Sequence, residues 1–375
     1  MLLLAAAAVR IPLVGSPPLL SDDLFRYLWE GTVLAAGGNP FLESPASLPG
    51  LDDALRAHVN HPGLTSIYPP LALGWFRLLH LLGGSPWLAQ ACTASLDLVT
   101  VLALALMLRG TGASVWPAWL YALHPVPALE SAAGAHLDVV AVALTAAAVL
   151  AWQRGRPGPA VLGVVAGAGV KLFPVLLLPV MFTRQAWRRE VAGLLIAGVA
   201  MVVLLWPVLD AGPALVASMH TYWSSWSFNG LVYPLLAPVL GPYTRPVLAG
   251  AGVTAVGWGW WRYREPVGTW AVAGAAFVLL SPTVHPWYLL WVLVPSLMRR
   301  RWGWAAASVA LLGSYGVLLG YDPGTDQWQV PAWLPWITWG PALAFLAVEA
   351  LLRRHVKQPT APSGPPAAPA NVRHR

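Results

Sequence analysis

The chain is poor in cysteine and in charge, and each shortage excludes a class of protein. A single cysteine, Cys92, excludes an intrachain disulfide and a metal site built from cysteines. Charged residues make up 10% of the chain, whereas soluble domains carry about 25%. With 57% apolar residues and a mean hydropathy of +0.62, most of the chain must face lipid or other apolar helices. The 375 residues are therefore not two soluble domains.

Repeated long apolar runs predict an all-α fold, a polytopic bundle of transmembrane helices. Open strands cannot cross hydrocarbon, because their backbone groups would lack hydrogen-bond partners. The segment 159–182 has a basic gap at each end and KLFP (171–174) in the middle, which predicts two half-length helices that turn back at the outer face. We predict about twelve crossings from 1–20, 87–108, 113–129, 137–152, the two half-helices, 191–209, 244–261, 266–284, 286–298, 303–320 and 336–352.

The formal charge of +7 alone would suit a nucleic-acid-binding protein, but the placement of the charges argues against a nucleic-acid partner. Basic residues fall in one set of gaps and acidic residues in the other. By the positive-inside rule the basic gaps and both chain ends are cytoplasmic, and the acidic gaps share the outer face. The basic gaps hold Arg109, Arg154, Arg156, Arg184, Arg188, Arg189, Arg262, Arg264, Arg299, Arg300, Arg301, Arg353, Arg354 and Lys357.

We predict one transmembrane domain over residues 1–357 and a Pro/Ala-rich, disordered cytoplasmic tail over 358–375. Within the domain, residues 21–83 form an outer loop. The segment 70–83 must lie along the outer face, since a full crossing would put Arg109 on the wrong side. Residues 1–20 lack a basic start and a small-residue cleavage site, so we expect no removable signal peptide, and a longer natural N-terminus stays open.

A polar helix face begins the outer loop. Ser21 is a natural N-cap, and acidic residues in a first turn complement the helix dipole, which is the purely structural interpretation. However, Asp23, Arg26, Tyr27 and Glu30 recur at helical spacing and share one face. A carboxylate at the membrane boundary suits a general base that acts on a hydroxyl group. Asp22 points about 100° away and either caps the helix or orients a substrate hydroxyl.

Three further groups of polar residues are candidates. Glu130, His136 and Asp138 lie at a predicted outer turn, where they either serve a site or satisfy backbone groups. Asp97 and Lys171 lie within apolar runs, where an ionisable residue costs roughly 2.5–3.5 kcal/mol and is usually paired or functional. We predict that Asp97 is a structural hydrogen-bonding partner and that Lys171 meets an anion. His285 can bind a phosphate oxygen from a third turn, which Pro282 and Pro286 shape.

Seven motifs carry a family resemblance over about residues 21–300. They are SDDLFRYLWEG (21–31), GGNPF (37–41), YPPLALGWF (68–76), SLDLVTV (95–101), HPVPALESAAGAHLD (124–138), KLFPVLLLP (171–179) and SPTVHPWYLLWVLVP (281–295). In this order they resemble the polyprenyl-phosphate-mannose-dependent mannosyltransferases of the GT-C superfamily. The resemblance implies a GT-C fold whose first outer loop holds juxtamembrane helices and the catalytic Asp.

The resemblance also implies roles for individual residues. Matched backwards from GGNPF, the family's functional acid falls on Asp23, with Asp22 as its neighbour. The acids are adjacent rather than spaced as Asp-X-Asp, so we expect no cofactor and leave a divalent metal open. The residues expected to bind substrate are Glu30, Tyr68, Glu130, His136, Asp138, Lys171 and His285.

The implied activity is transfer of a hexose, expected to be mannose, from a polyprenyl-phosphate donor to a lipid or glycan acceptor outside the cytoplasm. A polyprenyl phosphate leaves as a stabilised anion, so one carboxylate base suffices, whereas glycosidases need a second carboxylate to protonate their leaving group. The protein is then a multi-pass enzyme of the cell membrane. A transporter or lipid flippase of the same architecture is the alternative, and it predicts internal repeats and a central charged path. A non-catalytic scaffold subunit is a third interpretation.

Overall fold

A computed structural model describes residues 1–182, 187–322 and 327–356 of the chain. The regular secondary structure of these residues is helical, apart from a two-residue antiparallel pair between β1, Tyr321–Asp322, and β2, Gln327–Trp328. The all-α prediction is therefore confirmed for the described residues. The predicted tail at 358–375 lies outside them.

The first half of the chain begins with short helices around the outer loop and continues with longer ones. Proline stands in the first turn of many of these helices, where its missing N–H costs nothing and its fixed φ suits the helix. The α-helices are α1 Leu2–Arg10, α2 Asp23–Ala35, α3 Asp53–Arg56, α4 Pro70–Leu81, α5 Pro86–Gly110, α6 Trp116–Leu123, α7 Pro125–Ala128, α8 Leu137–Gln153, α9 Pro157–Val170 and α10 Leu178–Met181.

The second half of the chain continues the bundle. Its helices are α11 Trp187–Leu205, α12 Gly212–Ser225, α13 Tyr233–Leu240, α14 Thr244–Tyr263, α15 Pro266–Leu280, α16 Leu290–Met298, α17 Trp302–Leu311 and α18 Leu334–Val356. Short 3₁₀ segments extend several helices, at Ile11–Leu13, Pro45–Ser47, Phe173–Leu177, Trp206–Ala211, Gly241–Tyr243, Pro286–Leu289 and Leu312–Gly320.

The centre of the bundle is formed by α5, α8 and α16. Nearly all side chains of α16 are buried, and so are most of those of α8. By contrast, α11, α14 and α18 carry large exposed apolar side chains, among them Leu195, Val199, Val253 and Leu351. An outer surface of this kind fits helices that face lipid, with their polar contacts directed inward.

Three helices are long and apolar enough to cross a membrane: Pro86–Gly110, Trp302–Gly320 and Leu334–Arg354. A fourth candidate is the bent pair Pro125–Ala133 and Leu137–Gln153, whose parts meet at 119°. These findings cover the described residues only, and they leave the twelve crossings as a prediction. The predicted span at 113–129 is divided at His124, whose extended backbone precedes Pro125, because a residue before proline avoids the α conformation.

The predicted structural role of Asp97 and the predicted turn at KLFP are confirmed, but the second half-length helix is only the 3₁₀ segment Phe173–Leu177 followed by the four-residue α10. Asp97 accepts hydrogen bonds from Arg10 Nε at 2.8 Å and from Tyr121 OH at 2.7 Å, so it is a structural partner. At KLFP the chain turns, because α9 ends at Val170, Lys171 is extended, and α10 packs back against α9.

Candidate active site

The two adjacent acids at the start of α2 are held by one side chain. Asn60 Nδ2 donates to Asp22 Oδ1 and to Asp23 Oδ1, both at 2.8 Å. Asp22 precedes the helix but makes no capping hydrogen bond, while Ser21 Oγ accepts from the Asp23 N–H at 3.3 Å. Desolvation by the surrounding protein and the charge of Asp23 raise the pKa of Asp22, against the hydrogen bond from Asn60, which lowers it. Asp23 is half-buried.

The loop that carries Asn60 is fixed by Arg26. Its guanidinium donates to Asn60 Oδ1 at 3.2 Å, to the His61 carbonyl at 2.8 Å and to the Leu64 carbonyl at 3.1 Å. Arg26 is buried, so these bonds replace its lost contacts with water. The predicted polar face of α2 is thus packed against the protein's own loop, and Asn60 is positioned through a buried cation.

Glu30 and Tyr68 lie deeper on the same side of α2. The Glu30 carboxylate is 1% exposed, accepts from Ser66 Oγ at 2.7 Å and lies 3.8 Å from the Arg26 guanidinium. Burial outweighs these two interactions and raises the pKa of Glu30 to about 7. The Tyr68 ring packs edge-on against Tyr27, whose hydroxyl lies 3.5 Å from Asp23 Oδ2.

An ion pair connects α8 with the turn after α9. Lys171 Nζ donates to Asp138 Oδ2 at 2.9 Å, and Asp138 Oδ1 accepts from Trp291 Nε1 at 2.7 Å. Asp138 is 1% exposed, whereas the Lys171 side chain is 27% exposed and lies over the ring of Tyr288. Lys171 therefore keeps an open side, on which an anion can approach.

Four rings form a continuous stack beside Lys171. His136 stacks on Trp287 with ring centres 3.8 Å apart, Trp287 stacks on His285 at 4.3 Å, and Phe228 lies against the other face of His285 at 5.2 Å. Burial lowers the pKa of His285 to about 4, so the ring is neutral at neutral pH and can donate a single N–H. The segment around Phe228 is held by backbone bonds to Pro282 and Val284.

The turn before α8 brings Glu130 to His136. Their Oε2 and Nδ1 atoms lie 2.9 Å apart, and both side chains are buried. Tyr315 OH donates to Glu130 at 2.9 Å. A Cβ atom on Gly134 would lie 2.4 Å from the His136 ring, so only glycine fits there. His124 is structural instead, since its Nε2 lies 3.0 Å from the Ala305 carbonyl.

Most of the sequence-predicted residues belong to two sets of contacts. Asp23 lies against Tyr27, which packs on Tyr68. Lys171 contacts Asp138 and the ring of Tyr288, and Tyr288 packs on His285. Asp138 is the buried partner of Lys171, and His136 stacks on the ring of Trp287. Glu130 and Glu30 are also buried, each 1% exposed, and contact protein groups. Among the described residues, no group of three His, Cys, Asp or Glu side chains is arranged to hold a metal ion.

Sequence reasoning missed Asn60, Tyr222 and Tyr288. The hydroxyl groups of Tyr222 and Tyr288 are 2.8 Å apart and join α12 to the turn after α15. Asn60 stands in a loop without helical periodicity, and no local pattern marks it. Tyr288 belongs to the seventh motif, and its position three residues after His285 could have identified it from the sequence.

Known proteins resemble this chain over most of its length. A family model described as "Alpha-(1->6)-mannopyranosyltransferase, N-terminal domain" matches residues 1–188, and one described as "MptB C-terminal domain" matches residues 230–353. A probable alpha-(1->6)-mannopyranosyltransferase of Mycolicibacterium smegmatis is 25% identical over 96% of this chain and 76% of its own length. Alpha-(1->6)-mannopyranosyltransferase A of Mycobacterium tuberculosis is 24% identical over 88% of this chain and 71% of its own.

A solved structure shares the fold. The crystal structure of ArnT from Cupriavidus metallidurans, bound to undecaprenyl phosphate, superposes with a TM-score of 0.51 at 18% identity, over 94% of this chain and 71% of that one. The GT-C mannosyltransferase resemblance of the sequence is thereby confirmed. Because the first family model covers more than half of the 375 residues, the chain belongs to the alpha-(1->6)-mannopyranosyltransferase family of membrane glycosyltransferases.

Proposed function

We propose that this protein transfers mannose from a polyprenyl-phosphate donor to a hydroxyl group of a lipid or glycan acceptor. The observation that carries the proposal is that protein side chains hold both a half-buried carboxylate, Asp23, through Asn60, and a partly open cation, Lys171, through Asp138. A base on one side and a cation on the other are the two groups that this transfer needs. The names of the relatives support mannose as the sugar.

Asp23 acts as the general base. It takes the proton of the acceptor hydroxyl while that oxygen forms a bond to C1 of the sugar, and the bond from C1 to the phosphate oxygen breaks with its electron pair on the phosphate. A single displacement of this kind inverts the configuration at C1. The leaving phosphate is a stabilised anion, so no second carboxylate has to protonate it.

Lys171 and His285 receive the donor phosphate. The ammonium supplies charge, and neutral His285 supplies one N–H from a ring that Trp287 and Phe228 hold in place. The undecaprenyl phosphate bound to ArnT, a protein of the same fold, supports a lipid-phosphate ligand for this chain. Asp138 holds Lys171 in position, and Glu130 and His136 support the ring of Trp287. Tyr68 and Glu30 line the acceptor side.

The site opens to the outer face of the cell membrane, in a bundle of about twelve crossings with both ends in the cytoplasm. The sorted charges support this sidedness. It is tested with single cysteines in a Cys92→Ala background. A cysteine at Asp53 should react with an impermeant thiol reagent in intact cells, and one at Arg189 should react only after lysis. The reverse result would move the site to the cytoplasm.

The proposal as a whole is tested with purified protein and a panel of labelled polyprenyl-phosphate hexoses. Transfer from the mannose donor to an added lipid or glycan acceptor, with release of polyprenyl phosphate, is the expected result. A nucleotide-linked mannose should give no product. Uptake or translocation of the lipid in proteoliposomes without any new glycosidic bond would instead support the transporter interpretation.

A further inference from the structure

Two neighbouring cavities meet at Arg299 and Arg301, at the basic end of the bundle. The length of α8 separates the first cavity from Asp138 of the candidate active site, because Asp138 lies in the first turn of this helix and Gln153, which lines the cavity, ends it. The first cavity has a volume of about 370 Å³ and is lined by Arg299, Arg301 and Arg353 together with Glu265. It lies where the cytoplasmic leaflet meets water in the proposed topology.

The second cavity is an apolar groove that shares Arg299 and Arg301 with the first. Its volume is about 530 Å³, and its walls come from α14, α15, α17 and α18. The contribution of α15 is a half-buried stripe formed by Ala271, Val272, Ala275, Ala276, Leu279 and Leu280. The two cavities together offer a cationic head and an apolar body, each of a size typical of ligand sites.

The groove follows most of the length of α15. Leu280 lies 14 residues beyond Pro266, the first residue of the helix, which at a rise of 1.5 Å per residue is about 21 Å from its basic end. The hydrocarbon core of a bilayer is about 30 Å thick, so the groove reaches from the basic end past the midplane. A single acyl chain fits this direction and length.

The charges at the head of the groove leave one arginine uncompensated. Arg299 pairs with Glu265 at 3.3 Å, and Arg353 pairs with Glu349 at 2.8 Å. Both carboxylates also accept hydrogen bonds from the backbone. Glu265 accepts from the Gly268 N–H in α15, and Glu349 accepts from the Gly303 N–H. Half-buried Arg301 lines both cavities and has no ion-pair partner in the part of the chain that the structure describes.

We propose that this groove binds an anionic glycerophospholipid of the cytoplasmic leaflet, with one acyl chain along α15 and the phosphate headgroup on Arg301. Basic pockets between helices at the cytoplasmic surface recognise phosphate headgroups in this way. The planar guanidinium of Arg301 can form two parallel hydrogen bonds with a phosphate, and Arg299 lies beside it. The bound lipid fills the space between α14 and α18, and its binding does not require the sugar donor.

The test is native mass spectrometry of the purified full chain, titrated with phosphatidylglycerol and with phosphatidylcholine of the same acyl chains. Phosphatidylglycerol should bind more tightly. Arg301→Gln should weaken it about fivefold, because one basic side chain near a lipid surface contributes about 1 kcal/mol and 1.4 kcal/mol is a factor of ten. Ala275→Trp, which fills the groove, should weaken both lipids, and Arg156→Gln, in another basic gap, should change neither.

Three results overturn the proposal. Equal affinity for the two lipids would show that the groove does not recognise the headgroup. Unchanged phosphatidylglycerol binding in Arg301→Gln would show that Arg301 does not bind the phosphate. A lipid-free dimer that Ala275→Trp disrupts shows instead that a second copy of the chain covers the groove. Arg301 precedes the first residue of α17 at the surface, so we expect Arg301→Gln to fold. This variant therefore tests the proposal even if Ala275→Trp does not fold.

Discussion

Lys171 donates a 2.9 Å hydrogen bond to Asp138, and the exposure of the two side chains differs sharply, at 27% and 1%. The carboxylate therefore belongs to the bundle, and the ammonium faces the site. Removing the lysine alone leaves a buried, unpaired carboxylate, which typically costs about 3–5 kcal/mol. The role of Lys171 in binding must be separated from this structural cost.

The first prediction makes that separation. Lys171→Ala should lower thermal stability and raise the donor KM, whereas Lys171→Ala combined with Asp138→Asn should recover the stability but keep the raised KM. Loss of one hydrogen bond to a charged phosphate, worth about 1.5–3 kcal/mol, corresponds to a factor of about 10–100 in KM. Steady-state kinetics and thermal unfolding in detergent measure both. A double variant with a normal donor KM would make Lys171 purely structural.

The second prediction concerns Asn60 as a positioning residue. Asn60→Ala should lower kcat by about 10- to 100-fold, because a misplaced catalytic group costs that much. The lost hydrogen bond also stabilised the charged form of Asp22, whose pKa should rise further. Asp22 lies beside the base, so its protonation at a higher pH changes the hydrogen bonding around Asp23, and the acidic limb of the pH–rate profile should move to higher pH.

The control for Asn60 lies in the same loop. Ser47 is exposed and bonds only to the Ser44 carbonyl, so Ser47→Ala should leave both kcat and the pH profile unchanged. An Asn60→Ala enzyme that is slower but has the parent's pH profile would indicate a loop defect and not a change around the acids.

The third prediction follows from the Glu30 pKa of about 7, which lies above its ordinary value of 4.5. Between these two values the folded protein holds a proton that the unfolded chain has lost, so stability falls as pH rises from about 4.5 to about 7. The loss is on the order of 3 kcal/mol. Glu30→Gln should therefore raise the unfolding temperature clearly at pH 8 and little at pH 5.

The matched control is Asp53→Asn. A hydrogen bond from Gly50 and one from Arg56 hold the pKa of this exposed carboxyl below its usual range, so it is charged at both pH values. Its substitution should have the same small effect at pH 5 and pH 8. A Glu30→Gln variant that behaves in this way, with no dependence on pH, would contradict the buried, protonated state of Glu30.

How far the sequence predicts this structure depends on whether the determinant is local. The helix α14, Thr244–Tyr263, follows the predicted 244–261 closely, and the turn at KLFP was predicted from flanking charges. The span predicted at 113–129 runs past the break at His124, because the apolar run continues across Pro125. Hydropathy alone does not register a change of backbone conformation.

Pairing between distant residues was the part that the sequence could not supply. Asp97 was predicted to be a structural hydrogen-bonding partner, but its partner Arg10 lies 87 positions away and no local pattern connects the two residues. Asn60 approaches Asp22 and Asp23 only because Arg26 folds its loop over α2. Family motifs identified the acids, but the side chains that orient them lie outside those motifs.

The fourth prediction uses the Arg10–Asp97 pair, in which both side chains are at most 2% exposed. Asp97→Ala should destabilise the protein by about 3–5 kcal/mol, because it leaves a buried guanidinium without its partner. Arg10→Met combined with Asp97→Leu should recover most of that loss. Thermal unfolding with the exposed Arg109→Gln as control checks this. Additive losses in the double variant would show that the two residues act independently.

The most direct test of the account compares Asp23→Asn with Asp22→Asn in transfer from a polyprenyl-phosphate mannose donor. Asparagine keeps the size and the hydrogen bond to Asn60 but cannot accept a proton. Asp23→Asn should lower turnover by about 10²–10⁴-fold with donor binding largely intact, the usual cost of losing a general base, and Asp22→Asn should cost less. Near-normal turnover in Asp23→Asn with loss in Asp22→Asn would assign the base to Asp22, and normal turnover in both would contradict the mechanism.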